Sequence, residues 1–224
     1  MFSFEGFVRI DAICRGIFRV AYLSVLWLAT TVLGLVVLGF GPASYAMAKS
    51  MDRWLRHGET PSVARTFVAD VRERPRESML AGWVVLGAGA VIVTNVFLAP
   101  TWILQAVNVL ALVVLGVAMA YVFPVMVATD VATTRRRFAA ALLIGFGSLH
   151  WTIIGAAAVG VAWWLLWTYA TPLLLLFGAG LPAFVVGLVT RIVFRPLEES
   201  PEVSGLSRPS LHHQMIAPAT EQVS

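Results

Sequence analysis

The chain has 224 residues, 59% of them hydrophobic and only 12% charged, with a mean hydropathy of +0.84. So little polar surface cannot coat a water-soluble globule, and the composition places the chain in a bilayer. One cysteine, Cys14, excludes an internal disulfide and fits no CxxC or Cys/His metal spacing. The pI near 9.8 is what cytoplasmic loops rich in Arg and Lys produce in a membrane protein, so it needs no nucleic-acid partner.

The first apolar run, Val20 to Phe40, is longer than the core of a secretory signal and is followed by no small-residue cleavage site, so it reads as a retained span. A helix needs roughly 20 apolar residues, at about 1.5 Å each, to cross the hydrocarbon core. Five segments qualify: Val20 to Phe40, Ser78 to Leu98, Trp102 to Ala128, Trp151 to Tyr169 and Pro172 to Phe194. The expected fold is therefore all-α and polytopic, with a transmembrane domain over residues 1–195 and a disordered cytoplasmic tail over 196–224, rich in Pro, Ser and Glu. His212 and His213 in that tail read as solvated rather than as metal ligands, since no further ligands accompany them. The uncharged links "LAPTW" and "YATPL" predict tight hairpins after the second and fourth spans.

Charge divides the two faces. Lys49, Arg53, Arg56, Arg65, Arg72, Arg74 and Arg76 lie between the first and second spans, and Arg135, Arg136 and Arg137 between the third and fourth. With Arg191, Arg195 and Arg208, thirteen of the sixteen basic residues fall on one face, which the positive-inside rule makes cytoplasmic. Five crossings then put the N-terminus outside and the C-terminus inside a bacterial plasma membrane. Arg9, Arg15 and Arg19, ahead of the first span, conflict with that assignment.

The first basic connection carries two amphipathic patterns, near residues 43–57 and 61–74. In the first, Met47, Met51 and Trp54 share a helical face with Ala43 and Leu55, opposite Lys49, Asp52, Arg53 and Arg56. This pattern predicts an interfacial helix anchored by Trp54, Met47 and Met51, its cations toward anionic lipid. Gly58 stops it. Thr60 and Pro61 supply a cap and a first-turn proline for the second helix, and Pro75 ends that helix and opens the next span. A shorter second elbow after Pro124, with Phe138 following the "RRR" run, suggests a duplicated hairpin.

Leu26-Trp27-Leu28, the Gly41-Pro42-Ala43 corner with Ala46, the basic elbow around Phe67 and the closing "TRIVFRPLE" resemble the YesL-like bacterial membrane proteins, a family of unknown molecular function, over residues 15–198. Members often carry a proline in the first span, whereas Thr31 to Phe40 has none. The resemblance implies a polytopic inner-membrane protein associated with sugar-uptake ABC transporters, and brings no catalytic residues with it.

Polar residues within spans are few. Asn95, Gln105 and Asn108 sit near the outer ends of the second and third spans, where they either bond across the hairpin or line an outward cavity for a polar solute. Asp130 reads as a partner of the neighbouring arginines rather than a proton relay, and His150 as an interfacial histidine rather than a base. There is no nucleotide loop, nucleophile elbow, carboxylate pair or zinc helix, so no catalytic residue, cofactor or metal is expected and an enzyme is not. The leading functional reading is an accessory component whose basic face, Lys49, Arg53, Arg56 and Arg135 to Arg137, meets lipid or the membrane subunits of an ABC-type uptake system. The competing readings are a small autonomous transporter or channel and a lipid-sensing structural protein.

Overall fold

The apolar run near the N-terminus does not stay helical to its end. The computed structural model describes residues 4–58, 62–128 and 134–198, and in it the first helix, α1 (Phe4–Leu33), stops seven residues before Phe40. Residues 34–39 reverse the chain, and α2 (Phe40–His57) returns antiparallel along α1. The direction is fixed by paired contacts. The Trp27 indole donates to Ser44 Oγ at 3.1 Å near the turn, while at the open end the Arg19 guanidinium lies 5.3 Å from the Trp54 ring and makes a long bond to the Gly58 carbonyl.

No proline makes this reversal. Leu35 and Val36 take positive φ values of 53° and 62°, a conformation that costs an L-residue roughly 1–2 kcal/mol. Val36 N–H donates to the Thr31 carbonyl at 2.8 Å and Gly39 N–H to the Gly34 carbonyl at 3.1 Å, so the turn closes its own backbone bonds inside an apolar setting. Gly34 and Gly39 touch backbone to backbone, where any Cβ would overlap. The proline-free stretch from Thr31 to Phe40 thus bends through glycines and left-handed residues.

α3 (Val63–Val71) runs back along α2, and α4 (Pro75–Leu98) starts directly after it, with Pro75 in the first turn and Glu77 placed favourably for the helix dipole. α5 (Trp102–Ala128) returns along α4 after the short link 99–101, and a Cβ on Gly89 would lie 3.5 Å from the Leu115 side chain. α6 (Thr134–Gly147) packs on α5, where a Cβ on Gly145 would meet Val117 and Tyr121. α7 (Leu149–Tyr169), α8 (Thr171–Phe177) and α9 (Gly180–Glu198) complete the nine helices of the described residues, among which no strand occurs. The fold is all-α. Among the described residues, four helical segments are long and apolar enough to cross a membrane: 13–33, 75–98, 102–128 and 150–169.

Several sequence expectations change here. The first span is shifted towards the N-terminus and ends at Leu33. The segment read as one helix over 172–194 is divided between α8 and α9, and α9 runs on through Pro196–Glu198, where the tail was expected to begin. α3 begins at Val63 after Ser62 in the left-handed region, while the Thr60–Pro61 cap, Asp130 and the paired histidines lie outside the described residues. One described helix, α6, follows α5 where the duplicated-hairpin reading looked for a second elbow.

The principal core forms where α2 is enclosed. Val20 and Leu23 of α1, Ala46, Met47 and Met51 of α2, and Phe67 of α3 are buried together, and Phe177, Ala183 and Phe184 pack against them. α2 also crosses α4 at backbone distance. A Cβ on Gly82 would lie 2.8 Å from the Gly41 Cα, and one on Gly41 would run into the Ser78 carbonyl. Glycine at 41 and 82 is therefore a packing requirement, as at close helix crossings in membranes generally. Gly41→Ala is expected to destabilise the fold by at least about 1–3 kcal/mol, because backbone must move to admit the methyl group. Gly87→Ala, on the same α4 but with open space around it, should be neutral or slightly stabilising in the same thermal melt of detergent-purified protein.

Candidate functional site

The residues that the sequence marks as most distinctive, the Gly-Pro-Ala corner and the basic elbow, converge on α2, α3 and the first turns of α4. The corner makes the α2–α4 crossing. It also brings the 34–39 turn onto α4, where the Trp83 indole donates to the Val37 carbonyl at 2.9 Å.

Charge on α2 is turned inward. Arg53 grips Asp70 of α3 through two parallel bonds, Nη1 to Oδ2 at 3.2 Å and Nη2 to Oδ1 at 3.1 Å, the bidentate geometry that fixes direction as well as distance. Lys49 lies 3.4 Å from Asp70 Oδ1, bonds the Glu73 carboxylate and stands over the Tyr45 ring. Asp70 is only 4% exposed. The period that buries Phe67 also carries Asp70 to the α2 side, three residues on.

Burial alone would lower the Lys49 pKa, but its bond to Glu73 and the charge of Asp70 outweigh this and hold the ammonium above its ordinary 10.5. A raised cation pKa contributes stability that is complete below the unfolded value and is lost only as pH climbs through the folded one. The Lys49 contribution to the clamp is therefore fully present near neutral pH. The Tyr45 phenol is raised as well, chiefly by burial.

A second pair joins distant segments. Arg137, 2% exposed, donates to Glu77 Oε2 at 2.6 Å and so pins the start of α6 to the start of α4.

These contacts revise the roles read from sequence. Met47 and Met51 are 2% and 1% exposed and face Val20, Leu23 and Phe67, so they anchor the helix in protein rather than in lipid. Trp54 lies between Arg19 and Phe184, whose ring is 5.6 Å away, and contacts Gly16. A helical wheel shows which residues share a face and says nothing of what meets it. Here the apolar face meets α1, and the charged face meets the carboxylates of α3. Among the six basic residues singled out, Lys49, Arg53 and Arg137 are engaged by acidic partners from other helices, and Arg56 pairs with Asp52 one turn earlier at 2.8 Å on the surface. Arg135 and Arg136 are exposed.

The outer amides do not converge. Asn95 and Gln105 are exposed, Asn108 donates to its own Leu104 carbonyl at 2.8 Å, and no hydrogen bond joins the three among the described residues. Sequence reasoning missed Asp70 and Glu73 as the partners of Lys49 and Arg53. The available signal was that the acids lie on a short helix, Asp70 three residues after Phe67.

The clamp makes unequal demands on its residues. Asp70→Asn is expected to cost about 2–4 kcal/mol, below the figure for a fully buried pair because the Arg53 and Lys49 side chains keep 26% and 25% of their exposure. Asp52→Asn, at the exposed pair, should cost under about 1 kcal/mol. Limited proteolysis within residues 58–75, alongside thermal melting, separates the two.

Residues 20–96, the segment that contains the α1–α2 turn, the clamp and the glycine crossing, match the family described as "Protein of unknown function, DUF624". The chain is 28% identical over 193 residues to "Uncharacterized protein YesL" of Bacillus subtilis (strain 168), covering 84% of this chain and 91% of that protein. It is 33% identical over 127 residues to "Uncharacterized protein YteU" of the same organism, covering 54% and 57% respectively. No solved structure matches the chain. The matched segment carries most of the core helices, and over it the chain is similar to the YesL-like proteins of unknown function.

Proposed function

We propose that this chain is a non-enzymatic accessory subunit of a membrane assembly, and that the assembly is a carbohydrate uptake system of the ABC type. The observation that carries the first part is α7. Only 6% of its apolar window is buried within the chain's own fold, against 33% for α5, and Trp163, Trp164 and Trp167 all face outward. A span with so little intramolecular packing, rich in aromatic side chains suited to interface anchors, offers a surface to another membrane subunit. The second part rests on the resemblance of the Gly-Pro-Ala corner and the basic elbow to YesL-like proteins. The unconverged outer amides give a solute pathway through the chain no support. Crosslinking with mass spectrometry in native membranes is expected to join α7 to the membrane subunits of a transporter. Purification from those membranes with no stoichiometric partner would overturn this reading.

We further propose that both termini lie on the cytoplasmic side of the bacterial plasma membrane. An odd number of crossings puts the N-terminus outside, but α2 returns along α1 until its end lies beside Arg19, midway along α1, which supports a hairpin that leaves on the side where it entered. Arg9, Arg15 and Arg19 then join the other basic residues on one face, and their conflict with the positive-inside rule disappears. Cys14, the single cysteine, falls inside the 13–33 segment, so the test removes it. In a C14S background, S3C and S62C should resist a membrane-impermeant maleimide in intact cells and react after permeabilisation, while A99C reacts from outside. Labelling of S3C in intact cells would restore the outside N-terminus.

A further inference from the structure

Two arginine runs far apart in sequence meet at one end of the bundle. Arg72, Arg74 and Arg76 flank the start of α4, and Arg135 to Arg137 open α6. The buried Arg137–Glu77 pair at 2.6 Å holds those two helix starts together. Glu77 is occupied by Arg137, with Arg74 at 3.9 Å, and Glu73 is turned toward Lys49. Arg76, Arg135 and Arg136 remain on the exposed surface beside the pinned pair.

Above these charges the exposed surface turns apolar along the same helical faces. On α4, Leu80 follows Arg76 at i+4 and is 50% exposed. On α6, Leu143 and Phe146 follow Arg136 at i+7 and i+10 and are 74% and 52% exposed. A guanidinium cluster at the base of two outward apolar stripes has the polarity of a phospholipid: a phosphate at one end, acyl chains along the other. An acidic segment of a soluble protein would match the arginines and leave the stripes bare.

We propose that this surface is a binding site for an anionic phospholipid, its phosphate on Arg76, Arg135 and Arg136 and its chains along Leu80, Leu143 and Phe146. Guanidinium groups suit phosphate oxygens through bidentate bonds, and an anionic headgroup adds attraction that a zwitterionic one lacks. Arg137 has the separate task of setting the two halves of the site side by side.

The test uses the full chain, purified in mild detergent and titrated with phosphatidylglycerol or phosphatidylcholine while native mass spectrometry counts bound lipid. A double variant, R135Q/R136Q, is compared with R65Q/R191Q, which removes the same charge from exposed positions elsewhere. At about five-fold per arginine, phosphatidylglycerol affinity should fall roughly 25- to 30-fold in the first variant and less than about five-fold in the second. L143Q, with its charge unchanged, should also weaken binding, which simple charge attraction does not predict. Equal losses in the two charge variants, equal affinity for the two lipids, or an unaltered L143Q would each overturn the site. Tighter binding of a polyglutamate peptide than of phosphatidylglycerol would mark the surface as a protein dock instead.

Discussion

The contact between Gly41 and the backbone of Ser78 to Gly82 sets the geometry on which the rest of the core depends. Lipid tails are as apolar as leucine, so helices in membranes gain little from exchanging one for the other and associate through close packing. Where α2 crosses α4 no side chain separates the two backbones, and a Cβ on Gly82 would sit 2.8 Å from the Gly41 Cα. That approach fixes the level at which α4 leaves the core. It also brings the 34–39 turn against Trp83 and leaves room for α3 on the other flank of α2.

With the position of α2 fixed, its charges act inside the protein. The Arg53–Asp70 fork and the Lys49–Glu73 pair set α3 at one rotation, since sliding or turning α3 by a residue would strand Asp70 against apolar side chains. Buried ion pairs add little net stability when compared with well-packed hydrophobic side chains. Their effect here is to select one register among several that the apolar stripe Val63, Phe67 and Val71 would tolerate. Arg137 and Glu77 do the same for α6 on α4, over a separation of 60 residues.

The turn at residues 34–39 gives the hairpin its parity. Left-handed backbone at a β-branched valine is costly, and it persists where the surroundings over-determine it. Here they are the closed ring of backbone bonds from Thr31 to Phe40 and the abutting glycines 34 and 39. A helix that ran on to Phe40 would lose the Trp27–Ser44 bond and the burial of Met47 and Met51 against α1.

The sequence by itself determined the solvent and the class of the fold. Hydropathy and sparse charge demand helices in a bilayer, because unpaired backbone polar groups cannot face lipid. Prolines and glycines at Pro75 and Gly58 marked helix ends for local reasons, the missing N–H of one and the conformational freedom of the other. The amphipathic pattern of α2 was equally plain, and only tertiary structure decided what met each of its faces. An apolar stripe of Met47 and Met51 satisfies lipid and protein alike, and a cation is as content with a lipid phosphate as with Asp70, so no periodicity distinguishes them. The end of α1 was hidden for a related reason. Residues 34–38 are apolar and suited to a continuing span, and the reversal there rests on left-handed Leu35 and Val36, the abutting Gly34 and Gly39 and the Trp83 bond to Val37, with no proline to signal it.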